Sequence, residues 1–544
     1  MSNFYLKPKF FSVIKNYSGK QFAADLIAGI IVAIIALPLS IALALASGVA
    51  PEMGIYTAVA AGFVVALLGG SRIQIAGPTA AFATIVAGIV ASDGLDGLFI
   101  ATVIAGILLI LMGIFKFGSL IKFIPFTITT GFTSGIAVTI LIGQIKDFLG
   151  LTYAEGVKPI EAIEKLEANF ESIGTFSWQA LLVGAVCLAI LIIYPKFEKR
   201  IPPSLIAVIV GALMVKFIPG LDEGVFTIGE LYTIPKGLPS VDFGSFDLSA
   251  EKITAVLPSA FTIAILAAIE SLLSCVVADG MVGSKHNSNA ELVAQGAANI
   301  ASVFFGGIPA TGAIARTAAN AKNGGRTPVA GMVHSVILLL VLLFLMPLAG
   351  LIPMPTIAAI LFMVAYNMSE WRKFVRTVKT APKSDILVMV VTFVLTVVFD
   401  LVVAIEVGLL LAAILFLKRM SDESSVRKWE ENAHMTDIPE DVKIYDICGP
   451  MFFGAADKIS QIVLDGEDIK YLILRMGAVN SLDSTAMNAL EAVLRKCKEK
   501  DVKLLLTHVN KQPLSVMKKA GFFDAVGAES YFEHIGEALD SVKN

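Results

Sequence analysis

Two proline-led interruptions, Gly77-Pro78-Thr79-Ala80-Ala81 and Ile308-Pro309-Ala310-Thr311-Gly312-Ala313, occupy matching places in the two halves of this 544-residue chain and constrain its fold more than any other feature. Each follows two apolar stretches of spanning length and opens a segment too short to cross a bilayer. Pro309 lies 231 positions after Pro78 (309 − 78), and the same shift carries Pro38 to position 269, beside Glu270, a carboxylate within an apolar run. Short, Gly/Pro-interrupted segments in corresponding positions mark the substrate site of an inverted-repeat transporter. Two broken helices meeting near the midplane would aim backbone N–H groups at one point, and helix N-termini attract anions. The pattern predicts an anion transporter.

Composition agrees. The chain is 56% hydrophobic and 16% charged, whereas a soluble protein carries about a quarter charged residues, so lipid solvates most of it. Cys187, Cys275, Cys448 and Cys497 are scattered without CxxC spacing, and the five histidines are isolated. Neither a disulfide framework, a metal site nor a cofactor is expected, and a net charge of −3 points to no nucleic-acid partner. Residues 1–20 form a basic, mixed N-terminal segment, and the apolar run after it lacks a small-residue cleavage site. That run is expected to be a retained first span.

Apolar runs at about 24–46, 52–69, 97–116, 123–149, 178–195 and 202–218, with the short segment 79–90, give seven elements. A loop rich in glutamate (Glu161, Glu164, Glu167, Glu171) follows the fifth. A second seven lie at about 256–278, 290–306, 311–320, 328–350, 355–367, 384–399 and 401–417, the last two short or partly re-entrant, with polar stretch 219–255 as the hinge. With the N-terminus in the cytoplasm, the inside loops hold Arg72, Lys116, Lys122, Lys196, Lys199, Arg200, Lys285, Lys322, Arg326 and the cluster Arg372 to Lys383. The short outside loops at 47–52, 91–97 and 347–355 hold no Lys or Arg, as the positive-inside rule requires. An odd number of elements per half makes the repeat inverted. The predicted fold is an α-helical polytopic membrane protein of fourteen elements in a 7+7 inverted repeat, with both termini cytoplasmic.

After Lys418-Arg419 the composition changes. Buried-strand patterns at 443–449, 470–475 and 502–509 alternate with amphipathic helices at about 455–465, 484–499 and 511–520, which predicts a small cytoplasmic α/β domain. The expected boundaries are 21–419 for the membrane domain, 420–435 for a linker and 436–544 for the soluble domain.

Several residues stand out as candidates for the site. Gly77 and Pro78 end an extended lead-in, and Thr79 falls at the N-cap or first turn of the half-helix, with Ala80 after it. Pro309 opens the second break, where the small residues Gly312 and Ala313 would let an ion approach the backbone. Arg316, one turn on, would project into the cavity or flank it; the alternative is an arginine that reaches the interface or pairs with an acid. Glu270 sits deep in a span, where an ionisable group faces a polar cavity by default. Burial favours its neutral form, which suits coupling to protons, and Ser274 lies one turn along the same face. Pro38 would kink the first span beside the site and release backbone groups, with Ser40 lining the cavity. Asp400 and Glu406 fit a scaffold role better. In the soluble domain, Ser484 and Thr485 sit at a strand-to-helix turn, where a hydroxyl can be an N-cap or a regulatory phosphorylation or anion site.

Taken together, Ala36-Leu37-Pro38-Leu39-Ser40, Gly77-Pro78-Thr79-Ala80, Ala268 through Ser274, Pro309 through Thr317 and Phe399 through Glu406 resemble the sulfate permease (SulP) family, whose animal relatives include prestin and pendrin. Gly449 through Ala456 and Leu482-Asp483-Ser484-Thr485 are similar to STAS domains. The resemblance spans nearly the whole chain. It implies a fold like the uracil transporters, a homodimer, and a core (elements 1–4 and 8–11) that moves against a gate (5–7 and 12–14) in an elevator-like cycle. Anion ligands are implied at Thr79, Ala80, Gly312, Ala313 and Ile314, an anion-facing cation at Arg316, and the coupling acid at Glu270. Leu39 stands where many relatives carry Gln, and Ile314 where a sodium-coupled bicarbonate member carries a hydroxyl; both departures argue against sodium-coupled bicarbonate transport.

The expected function is secondary active transport of a small inorganic or carboxylate anion (sulfate, bicarbonate or a C4-dicarboxylate) across the plasma (cytoplasmic) membrane, with protons, or less readily Na⁺, as the coupled cation. The alternatives are an anion-occupancy sensor that signals to a cytoplasmic partner through the soluble domain, and an anion channel. A membrane enzyme is not expected, because the sequence offers no nucleophile–base pair or metal cluster.

Overall fold

The computed structural model describes residues 6–119, 125–157, 159–198, 201–233, 249–399, 401–429, 438–462 and 469–543. The chain divides into two compact units, Met1–Leu409 and Leu410–Asn544.

The first half of the membrane unit begins with α1 (Gly19–Ala46), α2 (Pro51–Leu68) and a two-residue strand, β1 (Ala76–Gly77). It continues with α3 (Ala80–Ile114), α4 (Phe126–Leu149), α5 (Trp178–Ile193) and α6 (Pro203–Phe217). Gly94 (φ 73°) breaks α3 in two, so the arm starting at Ala80 is the third membrane element and the arm after Gly94 the fourth. The second half runs α7 (Ala250–Val282), α8 (Ser288–Phe304), β2 (Thr311–Gly312), α9 (Ile314–Lys322), α10 (Val329–Phe344), α11 (Met354–Ser369), α12 (Lys383–Val398) and α13 (Leu401–Glu423), the last running on into the second unit from Leu410. The expected seven-plus-seven order is present among the described residues. Side-chain oxygens of Ser18, Ser177, Ser249 and Asn287 cap α1, α5, α7 and α8 and so satisfy first-turn N–H groups.

Packing follows the repeat. The second arm of α3 lies on α8, and α10 lies on α2, which is the same contact in the opposite half. At the first crossing a Cβ added to Gly106 would stand 2.7 Å from the Gly296 carbonyl oxygen, and one added to Gly296 would strike the Gly106 oxygen. Two helix backbones therefore touch there, a contact only small residues permit. Large apolar side chains such as Ile27, Phe63, Ile107 and Phe261 are exposed, as a lipid-facing surface requires. Elements 1–4 and 8–11 pack mainly on one another, as do 5, 6, 7, 12 and 13.

Some local expectations change. The glutamate-rich loop contains a helix, Ala162–Glu171. The polar hinge is not merely a linker: Ile228 N–H donates to Ile352 O (3.0 Å) and Gly229 N–H to Gly350 O (2.9 Å). Residues 234–248 and Asp400 lie outside the described residues. Pro38 does not interrupt α1, which is assigned as one helix through it.

In the second unit, β3 (Ser425–Lys428), β4 (Val442–Cys448), β5 (Tyr471–Ala478), β6 (Lys503–Thr507) and β7 (Tyr531–Phe532) form one sheet in chain order. It is parallel except for β3. The helices are α14 (Ala456–Ser460), α15 (Ser484–Glu499), α16 (Lys511–Lys519), Phe522–Val526, and α17 (Ile535–Lys543). The helix expected at 455–465 is therefore shorter, ending at Ser460. One sheet face packs Ile447, Leu474, Leu506 and their neighbours beneath α15. The other packs Val442, Ile444, Ile473 and Leu505 against Ile535, Ala538 and Leu539 of α17.

Candidate anion site

The two breaks form a structure together. β1 and β2 pair antiparallel, with Ala76 opposite Gly312 and Gly77 opposite Thr311. Because the strands are antiparallel, the helices that follow leave in opposite directions, and each begins within three residues of the ladder. Both half-helix N-termini, Ala80 of α3 and Ile314 of α9, are thus brought to one place.

Buried polar side chains hold each lead-in, most of them from the opposite half. At the first break, Gln74 Nε2 donates to Ser271 O (3.1 Å), Ile75 N–H to Thr317 Oγ1 (3.0 Å), and Asn320 Nδ2 to Ile73 O (2.9 Å). At the second, Ile308 N–H donates to Thr57 Oγ1 (2.7 Å), while Asn299 bonds both the N–H and the carbonyl of Ala310 at 2.9 Å. Glu291, fully buried, accepts from Gly70 N–H (2.8 Å), Ser71 N–H (3.2 Å) and Gln295 Nε2 (3.1 Å). Asp25, also fully buried, accepts from Tyr17, Gln21, the Arg326 and Thr327 N–H groups and Thr327 Oγ1. Such irregular backbone is tolerated inside a membrane only when protein groups satisfy it. The sequence marks these residues only weakly: each is a polar side chain in or beside an apolar run, as Glu270 is, but without Glu270's isolation.

Thr79 is the N-cap residue of α3, but its side chain does not cap the helix. Its hydroxyl donates instead to Glu270 Oε2 at 2.9 Å. Ala80 is buried just inside the helix, and Glu270 and Thr79 are half-buried. Ser274, expected as Glu270's neighbouring hydroxyl, is turned elsewhere: Oγ donates to Gln74 Oε1 (2.9 Å) and lies 3.3 Å from Thr317 Oγ1. It braces the first break.

Two amides expected to face an anion are already engaged. Gly312 N–H donates to Ser271 Oγ (3.0 Å) and Ala313 N–H to Ile75 O (2.8 Å). The first-turn N–H groups of Ile314, Ala315 and Arg316 are the ones helix geometry leaves over. Ile314 is 42% exposed, so this end of α9 is open. The glycine at 312 is needed for another reason: a Cβ there would collide with the Gln74 amide.

Arg316 is fully buried, and its Nη2 donates to the carbonyl of Pro78 at 3.0 Å. Its Nε and Nη1 have no partner. A Cβ on Gly77 would stand 2.5 Å from Nη1. The guanidinium therefore lies between the two breaks and does not reach the interface. Pro309 lies between the anchored Ile308 and Ala310. Pro38 is buried in α1, and Ser40 Oγ is buried without a partner. Glu406 is exposed. In the second unit the cap of α15 is Asp483, which accepts from Ala486 N–H and Phe453 N–H, both at 2.9 Å. Ser484 and Thr485 are exposed first-turn residues, so capping does not explain them.

The sulfate permease family profile matches residues 22–392, and the STAS domain profile matches 433–538. Among curated proteins, the chain is 41% identical to the "Putative sulfate transporter YvdB" of Bacillus subtilis (strain 168), over 97% of this chain and 99% of that one. It is 31% identical to the bicarbonate transporter BicA of Picosynechococcus (strain PCC 7002), over 96% of this chain and 94% of that one. Among solved structures, the murine Slc26a9 anion transporter in its inward-facing state superposes with a TM-score of 0.90, covering 99% of this chain and 94% of that one, at 18% identity. That likeness is one of fold.

Proposed function

The chain belongs to the sulfate permease family of membrane anion transporters, and we propose that it works as a proton-coupled secondary active transporter of a small anion. The anion is held between the Thr79–Ala80 and Ile314–Arg316 helix ends. The observation that carries this reading is the antiparallel β1–β2 ladder, which brings two helix N-termini and the Arg316 guanidinium together beside Glu270. Each terminus contributes free N–H groups and positive dipole potential, and the buried cation adds a full charge.

Glu270 makes occupancy depend on protons. Its carboxylate touches Thr79, so when ionised it sets a negative charge at the edge of the anion's own site. Two like charges about 5 Å apart repel by about 3 kcal/mol at an effective dielectric of about 20, roughly a hundredfold in affinity. Protonation removes that repulsion, so anion and proton bind together and travel together. Supporting an elevator-like cycle, elements 1–4 and 8–11 carry the site and pack as one group, against a second group that frames them. A homodimer in the plasma membrane completes the proposal. Sulfate and bicarbonate enter as candidates through the names of the two relatives, and a dicarboxylate such as fumarate fits the same charge.

The test is uptake of radiolabelled sulfate, bicarbonate and fumarate into proteoliposomes, with and without an inward proton gradient. At least one anion accumulates above equilibrium only with the gradient. Accumulation indifferent to the gradient overturns the coupling, and conductance far above carrier rates overturns the transporter reading.

A further inference from the structure

We propose that the soluble domain carries its own binding site for a small multivalent oxyanion, at the C-terminal end of its sheet, on the face that α17 covers only in part. On β4, β5 and β6 the residues Val442, Ile444, Ile473 and Leu505 lie under α17. Alternation along the strands puts Asp446, Arg475 and Thr507 on the same face, further toward the strand ends. The register sets them side by side: Asp446 opposite Arg475, and Arg475 opposite Thr507. The apolar face thus turns polar where α17 begins.

Four side-chain atoms there are buried and lack any hydrogen-bond partner: Trp429 Nε1, Arg475 Nε, Thr507 Oγ1 and His508 Nδ1. Thr507 is fully buried. Trp429 packs on this face, and the Arg475 guanidinium lies 4.8 Å from its ring centroid. His508 takes a left-handed conformation (φ 56°) and packs its ring against His534, 5.4 Å between centroids. Burial, then the positive charges of Arg475 and His534, hold the His508 imidazole below its ordinary value, outweighing Asp446 and Glu537.

Orphaned buried polar atoms in a native protein call for an occupant. The donor inventory says which kind. Indole Nε1 and guanidinium Nε only donate, while the Thr507 hydroxyl and the His508 nitrogen can donate. A guest with several acceptor oxygens suits such a cluster of donors, whereas one water has two acceptor lone pairs. Arg475 is bridged to Asp446 at 3.6 Å, which leaves its Nε free. The ligand is therefore a free tetrahedral oxyanion such as sulfate or phosphate, and the site makes the soluble domain responsive to oxyanion concentration.

The chain has three tryptophans, so Trp178→Phe with Trp371→Phe leaves Trp429 as the sole reporter in the full-length protein. Sodium sulfate and sodium phosphate, titrated at constant ionic strength against sodium chloride, give a saturable change in Trp429 emission that chloride does not. Thr507→Val keeps the Arg475–Trp429 stack and weakens the response about tenfold, the loss expected of one hydrogen bond to a charged group. Arg475→Gln abolishes it. A response absent in the parent, equal with chloride, or unchanged in Thr507→Val overturns the site; since Thr507→Val alters no charge, that arm remains decisive if Arg475→Gln fails to fold.

Discussion

The hydroxyl of Thr79 donates to Oε2 of Glu270 across 2.9 Å, joining the N-terminus of one half-helix to a carboxylate from the opposite half of the repeat. On the function proposed above, an anion ligand and a proton carrier share one hydrogen bond. Glu270→Gln is expected to abolish gradient-driven accumulation, while anion binding and exchange persist. Uphill accumulation by that variant under an inward proton gradient would show that the proton travels elsewhere.

Gly312→Ala tests the ladder, because even one methyl group meets the Gln74 amide. The ladder must shift, and anion affinity falls by about tenfold or more for a lost or displaced charged hydrogen bond; Gly312→Trp blocks binding. Ligand titrations of variants that remain monodisperse check this. Normal affinity in both variants would remove the breaks from the site.

Glu291 and Glu406 separate a structural acid from a neutral one. Glu291→Ala strands two buried N–H groups at Gly70 and Ser71, a loss of about 2–5 kcal/mol. Glu406→Gln changes an exposed group and leaves stability within about 0.5 kcal/mol. Thermal unfolding in detergent reads both.

Asp483→Ala removes the cap of α15 and a second bond, from Phe453 N–H, and lowers soluble-domain stability by about 1–2 kcal/mol. Ser484→Ala costs almost nothing by comparison. Hydrogen exchange at Ala486 and Phe453 distinguishes the two, and equal protection in Asp483→Ala and the parent would contradict the capping assignment.

Deleting the residues after Ser421 is expected to change maximal rate, expression or assembly and to leave the order of anion preference intact. Both breaks, Arg316 and Glu270 lie within the membrane unit, so the proposed anion site draws on no residue of the soluble domain. A reordered preference in a folded truncated protein would assign recognition to the soluble domain.

Much of this architecture is legible in the sequence because the bilayer enforces simple rules. Apolar runs of fixed length, basic inside loops and the 231-residue spacing of Pro78 and Pro309 suffice for fourteen elements and an inverted repeat. Glu270 also stands out alone, since a carboxylate in an apolar run is costly without a function. What the sequence does not contain is who satisfies whom. Ser274 is one turn from Glu270, and spacing alone makes them partners; tertiary packing hands Ser274 to Gln74, from the other half of the chain, and gives Glu270 to Thr79. Gly312 reads as room for an ion, yet its amide belongs to Ser271 and its missing Cβ makes room for Gln74. Asp25 and Glu291 escape notice because the distant segments they tie down, at Thr327 and Gly70, lie about 300 and 220 residues away. Periodicity fixes which face of a segment avoids lipid, but each polar side chain on that face can reach several partners, and only the packed structure selects among them.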